Sequence, residues 1–154
     1  MLPHRECVAI FLIKDSKVFA GRRIDIKNAW QLPQGGVEKG ENYLEAARRE
    51  LFEETNVTTI ELLGSSSLYK YNFPPDVQQV LVRKHGRLEY IGQKIIFFAF
   101  RFLGEEKEIN LQKKMQEFAE WKWMSTEDLL KNIIYFKKTP YKQAITEFQK
   151  LKII

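Results

Sequence analysis

The sequence predicts an α/β fold, a sheet layered with helices, on three observations. Short apolar, β-branched and aromatic runs recur through residues 8–32, 58–73 and 93–124, as strands do. One early segment, Asn42 to Asn56, carries a helix start signal, a helical apolar stripe and a helix stop. Two further helical stretches come last, after Ser125 and after Thr139. Strands around an early helix, with helices at the end, belong to the α/β layered class.

Taken in order, Val8 to Lys14 and Lys17 to Arg23 flank Asp15-Ser16 and read as a hairpin. Asn28 to Leu32 reads as a short third strand ending at Pro33, followed by a loop, Pro33-Gln34-Gly35-Gly36. In the central helix Asn42 is the N-cap and Glu45, three residues on, completes a capping box. Leu44, Ala47 and Leu51 form its buried stripe. Asn56 ends it, as the residue after Gly best able to take a left-handed cap. Thr58 to Leu63 and Ser67 to Phe73 read as two strands broken by Gly64 and the serines. Pro74 to Arg87 reads as an irregular excursion, and two strands follow, ending in the long run Gln93 to Leu103. Glu120 to Met124 is a short strand. Ser125 or Thr126 caps a helix from Glu127 to about Ile133. Thr139-Pro140 opens the last helix, whose apolar face is Tyr141, Ile145 and Phe148. No repeat or linker interrupts the chain, so residues 1–154 are expected to form a single domain.

Composition narrows the function classes. Apolar residues make up 44% and charged residues 29%, the proportions of a soluble globular protein. The apolar run Val8 to Ile13 is too short for a signal-peptide core or a membrane span, so a cytoplasmic protein is expected. One cysteine, Cys7, excludes a disulfide framework and a cysteine-based zinc site. His4 and His85 have no second ligand at metal-binding spacing. The net charge of +5 persists despite an acidic helix, which makes an anionic substrate the natural partner.

That acidic helix holds the chemistry. Glu50, Glu53 and Glu54 fall within about 100° of arc beside the apolar stripe. Carboxylates three and four residues apart are neighbours and repel one another. Such a cluster is a solvated acidic face, or it is an oxygen-ligand set for hard cations such as Mg²⁺ or Mn²⁺.

The wider pattern decides between these. Gly35, Glu41, Arg49-Glu50-Leu51, Glu53-Glu54 and Val57, at their spacing over 23 residues, resemble the Nudix box. One position departs: Asn56 stands where the family usually has Gly. Further blocks resemble one branch, the RNA pyrophosphohydrolases and dinucleoside polyphosphate hydrolases. They are Arg22-Arg23-Ile24-Asp25, Ala29 to Gly36, Lys70-Tyr71-Asn72-Phe73-Pro74, Ile91-Gly92-Gln93-Lys94, Glu117-Phe118 before Trp121-Lys122-Trp123, and Phe136-Lys137 before Tyr141. The resemblance therefore covers most of the chain.

It implies an α/β/α sandwich with a mixed sheet. It also implies a metal-dependent hydrolase of phosphoanhydride bonds that uses Mg²⁺, or Mn²⁺ in its place. Glu50, Glu53, Glu54 and Glu117 are the implied ligands, with Glu53 as general base and Arg49 bracing the carboxylates by pairing with Glu41. Arg22, Arg23, Tyr71, Lys94 and Lys137 are the expected phosphate contacts, with Arg23 preferred over Arg22. Arginine offers a fork of donors matched to phosphate oxygens. Phe136 is expected to stack on a base, with Arg23 as the opposite wall. Arg5 reads as part of a flexible N-terminus. The implied reaction removes pyrophosphate, or successive phosphates, from the 5′-triphosphate or diphosphate end of RNA. The alternative is hydrolysis of dinucleoside polyphosphates such as diadenosine tetraphosphate. The intact acidic triad argues against a non-catalytic Nudix-fold module that binds nucleotide or RNA, and a plain basic RNA binder would not need the acidic arc. Neither DNA nor a membrane is an expected partner.

Overall fold

A computed structural model describes all residues, 1–154. Seven strands build one mixed sheet: β1 (His4–Lys14), β2 (Lys17–Arg23), β3 (Trp30–Gln31), β4 (Gln34–Gly36), β5 (Ile60–Asn72), β6 (Gly92–Phe102) and β7 (Phe118–Met124). The main path is β3-β2-β1-β6-β5, with β4 also paired to β1 and β7 to β2. β1 and β6 are parallel from His4↔Gly92 to Ile13↔Arg101, and every other pairing is antiparallel. Four helices complete the chain: α1 (Tyr43–Thr55), α2 (Pro75–His85), α3 (Thr126–Asn132) and α4 (Lys138–Lys150).

The sequence of β1 explains the layering. Cys7 to Ile13 is buried at every position rather than at alternate ones, which requires a cover on both faces of the sheet. Cys7, Ala9, Phe11 and Ile13 join Ile95, Phe97 and Ala99 under Tyr141, Ala144, Ile145 and Phe148 of α4. Val8, Ile10 and Leu12 join Phe98 and Phe100 under Ala46, Ala47 and Leu51 of α1. The result is the expected α/β/α sandwich. Truncating a ring such as Phe11 at its centre should cost about 3–5 kcal/mol.

The local signals behave as read. Asp15 and Ser16 both have positive φ (51° and 63°), the two-residue turn whose twist suits a hairpin. The Asn42–Glu45 capping box is present in both directions, and Asn56 closes α1 at φ 69°. Ser125 caps α3 by accepting from the Asp128 amide at 3.1 Å.

Other expectations need correction. Residues 60–72 form one strand, because register shifts at Leu62/Gly64 and Ser65/Leu68 absorb the irregular residues as bulges. Gln34–Gly36 is a strand on β1 instead of a loop, and the third strand shrinks to two residues. A single strand, β6, follows the 74–87 segment. That segment is helical over Pro75–His85: Pro75 sits in the first turn and Gly86, at φ 83°, is the left-handed cap. The paired prolines mark a helix start here rather than an irregular stretch.

Candidate active site

α1 delivers its carboxylates to the end of β4, and Arg49 is the hub. Its Nε donates to Glu41 Oε2 at 2.8 Å, and one terminal nitrogen donates to Glu41 Oε1 (3.0 Å) and the Gly36 carbonyl (2.8 Å). The other donates to Glu50 Oε1 at 2.8 Å and Glu53 Oε2 at 3.2 Å. One guanidinium thus ties the loop before α1, the β4 backbone and two of the three helix glutamates together. The Arg49–Glu41 pairing is the one the sequence implied.

Glu54 is held differently. It is 7% exposed, and both its oxygens accept from the Gln34 amide, at 3.1 and 3.3 Å. Burial raises its carboxyl well above the usual range, and the Glu50 charge raises it further, against the Gln34 N–H. Burial also raises Glu50, with Arg49 opposing. Gly35 makes this approach possible: a Cβ there would lie 2.1 Å from the Glu50 carboxyl carbon. Glu117 is exposed just before β7, its carbonyl accepts from the Ile24 amide at 3.2 Å, and its charge reaches both Glu54 and Lys137.

No three of these carboxylates form a ready chelating cluster: Glu50 and Glu53 share Arg49, while Glu54 is held by the Gln34 amide. The donor set nevertheless fits a hard divalent cation. It is all oxygen, and a buried carboxyl destabilised by a neighbouring carboxylate gains most from added positive charge.

Beside the acidic edge lies a basic and aromatic group. Lys137 is 5% exposed, and its Nζ donates to Gln31 Oε1 at 3.4 Å. Burial, and then the Arg23 charge, pull its ammonium down to about 8. Arg23 grips Asp25 with two hydrogen bonds (2.9 and 2.6 Å) and reaches Gln31 at 3.5 Å. Arg22 instead pairs with Glu120 at 3.0 Å. The Tyr71 ring lies 5.9 Å from that of Phe136, half-buried, and its hydroxyl donates to Gln93. Burial raises that hydroxyl far above its ordinary range.

The structure does not bring Lys94 into this group. As an even-numbered β6 residue it shares the α1 face with Ile96 and Phe98 and lies 3.7 Å from Glu6, whereas Tyr71 and Gln93 face α4. Arg5 is a strand residue, paired with Gln93, and not part of a loose terminus. Its guanidinium packs against Gly36, where a Cβ would lie 2.5 Å from it, and its charge acts on Glu50. Sequence reasoning also missed Gln31, 2% exposed between Arg23 and Lys137. A polar residue inside the apolar run Ala29 to Leu32 was the available signal.

The fold and this edge define an α/β/α protein with an arginine-braced glutamate helix beside a basic, aromatic cluster. Comparison with known proteins agrees: the NUDIX domain matches residues 3–144, and the chain belongs to the Nudix family of hydrolases. It is 43% identical over 146 residues to an RNA pyrophosphohydrolase of Pelagibacter ubique, covering 93% of this chain and 90% of that one. It is 36% identical over 162 residues to another from Bartonella clarridgeiae (96% and 91% covered). A Caenorhabditis elegans Ap4A hydrolase shares the fold at a TM-score of 0.65 with 16% identity, covering 94% and 98%. Hydrolases of this family generally need a divalent metal. No helix is long and apolar enough to cross a membrane.

Proposed function

We propose that this chain is an RNA 5′ pyrophosphohydrolase, acting as one domain in the cytoplasm. The observation that carries the reading is the buried Lys137, which bonds Gln31 together with Arg23, feels the charges of Glu54 and Glu117, and directly follows Phe136, whose ring meets Tyr71. Carboxylates for a cation, fixed positive charge for phosphate oxygens and aromatic rings for a base are the three kinds of group that a triphosphorylated RNA end calls for. The names of its Pelagibacter and Bartonella relatives support the same substrate.

Glu50, Glu53, Glu54 and Glu117, with backbone carbonyls of 34–36, would hold Mg²⁺, or Mn²⁺ in its place. Such an ion supplies positive charge for the phosphoryl oxygens and lowers the pKa of an attacking water. The chain does the rest. Arg49 fixes Glu50 and Glu53 in position. Glu53, the more exposed of the pair, takes the proton of the water that attacks phosphorus. The anhydride bond breaks, pyrophosphate leaves, and a 5′-monophosphate remains on the RNA. Lys137, Arg23 and Arg5 neutralise the departing phosphates, and Phe136 stacks on the first base, worth ~1–3 kcal/mol.

The test is direct. Incubated with Mg²⁺ and a 5′-triphosphorylated oligonucleotide, the protein should yield monophosphorylated RNA and pyrophosphate, and excess EDTA should stop it. Undiminished activity in EDTA would remove the glutamate edge from the chemistry.

A further inference from the structure

Helix α2 is left unexplained by the core. None of its residues is buried, and Val80 and Val82 are exposed. Its last turn carries Arg83, Lys84 and His85, and Arg87 follows the Gly86 cap. All four are exposed, and the only ion pair among them is a long one, Arg87–Glu89 at 3.7 Å. Cations in a last turn complement the helix dipole, but that effect ends with the helix and gives Arg87 no role.

Position is the informative part. At the start of α2, Asp76 accepts from the Tyr135 hydroxyl at 2.9 and 3.1 Å, next to Phe136. Immediately before α2, the Phe73 ring lies 6.0 Å from Tyr71, which in turn meets Phe136. At the far end, the Lys84 charge helps hold the Asp25 carboxyl low, after the larger effect of the Arg23 hydrogen bonds. α2 therefore starts beside the Phe136 wall of the proposed base site, and the charge at its other end acts on Asp25, the ion-pair partner of Arg23. Its 11 residues span about 16 Å, and a groove of ≈ 610 Å³ lies along it between Pro75 and Leu88.

We propose that α2 is a track for the body of the RNA, with Arg83, Lys84 and Arg87 meeting the backbone phosphates of nucleotides that follow the processed end. This rests on the RNA-end reading above. Charge complementarity selects the partner: three exposed cations with one weak competitor suit a chain carrying one phosphate per residue. Such contacts carry no base information, so they add affinity without sequence preference.

The experiment compares kcat/KM on a triphosphorylated dinucleotide and a triphosphorylated 12-mer, at several salt concentrations. The proteins are the wild type and the triple variant Arg83→Gln, Lys84→Gln, Arg87→Gln. Three single-strand phosphate contacts correspond to a slope of about −2 in log kcat/KM against log salt. The wild type should therefore gain on going to the 12-mer at low salt and lose about 18-fold of that gain between 50 and 200 mM. The triple variant should show no gain and a slope flatter by about 2. A variant that keeps the length gain overturns the proposal and leaves α2 as a solvated or protein-facing surface. An equal loss on both substrates also overturns it, by assigning the cations to the terminal phosphates. If the wild type cleaves diadenosine tetraphosphate but neither RNA, the RNA-end reading itself has failed, and the track falls with it.

Discussion

Replacing Gly35 by alanine would put a methyl carbon 2.1 Å from the carboxyl carbon of Glu50 and 2.2–2.3 Å from its oxygens. Ordinary carbon contacts begin near 3.5 Å, so the carboxylate must retreat by about 1.4 Å. It cannot do so alone, because Arg49 holds it at 2.8 Å while also holding Glu41, Glu53 and the Gly36 carbonyl. Moving Glu50 therefore breaks that ion pair or drags the hub with it. Misplacing a catalytic group by about 1 Å can cost ~10²-fold, so kcat should fall about 100-fold or more, near 2.7 kcal/mol. The assay is kcat at saturating Mg²⁺, read beside a thermal melt. Gly40→Ala is the matched control: nothing lies within 4 Å of its Cβ, but φ is +82°. It should cost about 1 kcal/mol of stability and leave kcat in place. A Gly35→Ala enzyme with kcat within about threefold of wild type would refute the claim that this glycine positions Glu50.

Three further outcomes are expected. Lys137 is charged below about 8 and neutral above, so kcat/KM should fall as pH rises through that value, and Lys137→Met should lose this alkaline limb along with much of its rate. A limb unchanged in Lys137→Met would assign it to another group. Phe136→Ala should lower kcat/KM on triphosphorylated RNA by about 1–3 kcal/mol without altering its salt dependence, and unchanged turnover would return that ring to a packing role. Asn56→Gly relieves a left-handed residue by about 1 kcal/mol, but loses two side-chain bonds, to the Glu108 carbonyl at 3.3 Å and from Lys113 at 3.1 Å. Melts should therefore show a change within about 1 kcal/mol; a loss beyond 2 kcal/mol would mean those two bonds outweigh the backbone strain.

What the sequence made legible was local. The Asn42–Glu45 box, the left-handed Asn56 and the Ser125 cap all depend on residues three or four apart, and all stand in the structure. The buried face of α4 was readable from Tyr141, Ile145 and Phe148 for the same reason. Asn56 also shows why a departure from a family pattern can be retained, since its amide fastens the 108–113 loop that glycine could not reach. Long-range facts were not legible. Nothing near Lys137 in sequence reveals that it is buried against Gln31, 106 residues away. Lys94 and Gln93 are adjacent, yet the strand sends them to opposite faces, and only the topology shows which face holds Tyr71 and Lys137. α2 was misread because Pro74-Pro75 disfavours a helix interior and welcomes a helix start, and the pair alone does not say which.

A site built for an RNA end should favour RNA over a dinucleoside polyphosphate. The most direct test is kcat/KM for a triphosphorylated oligonucleotide and for diadenosine tetraphosphate, measured side by side at one Mg²⁺ concentration with wild-type protein. Both should be hydrolysed, with RNA preferred and that preference shrinking as salt rises. Faster turnover of the dinucleotide at every salt concentration, or no turnover of the RNA, would contradict it.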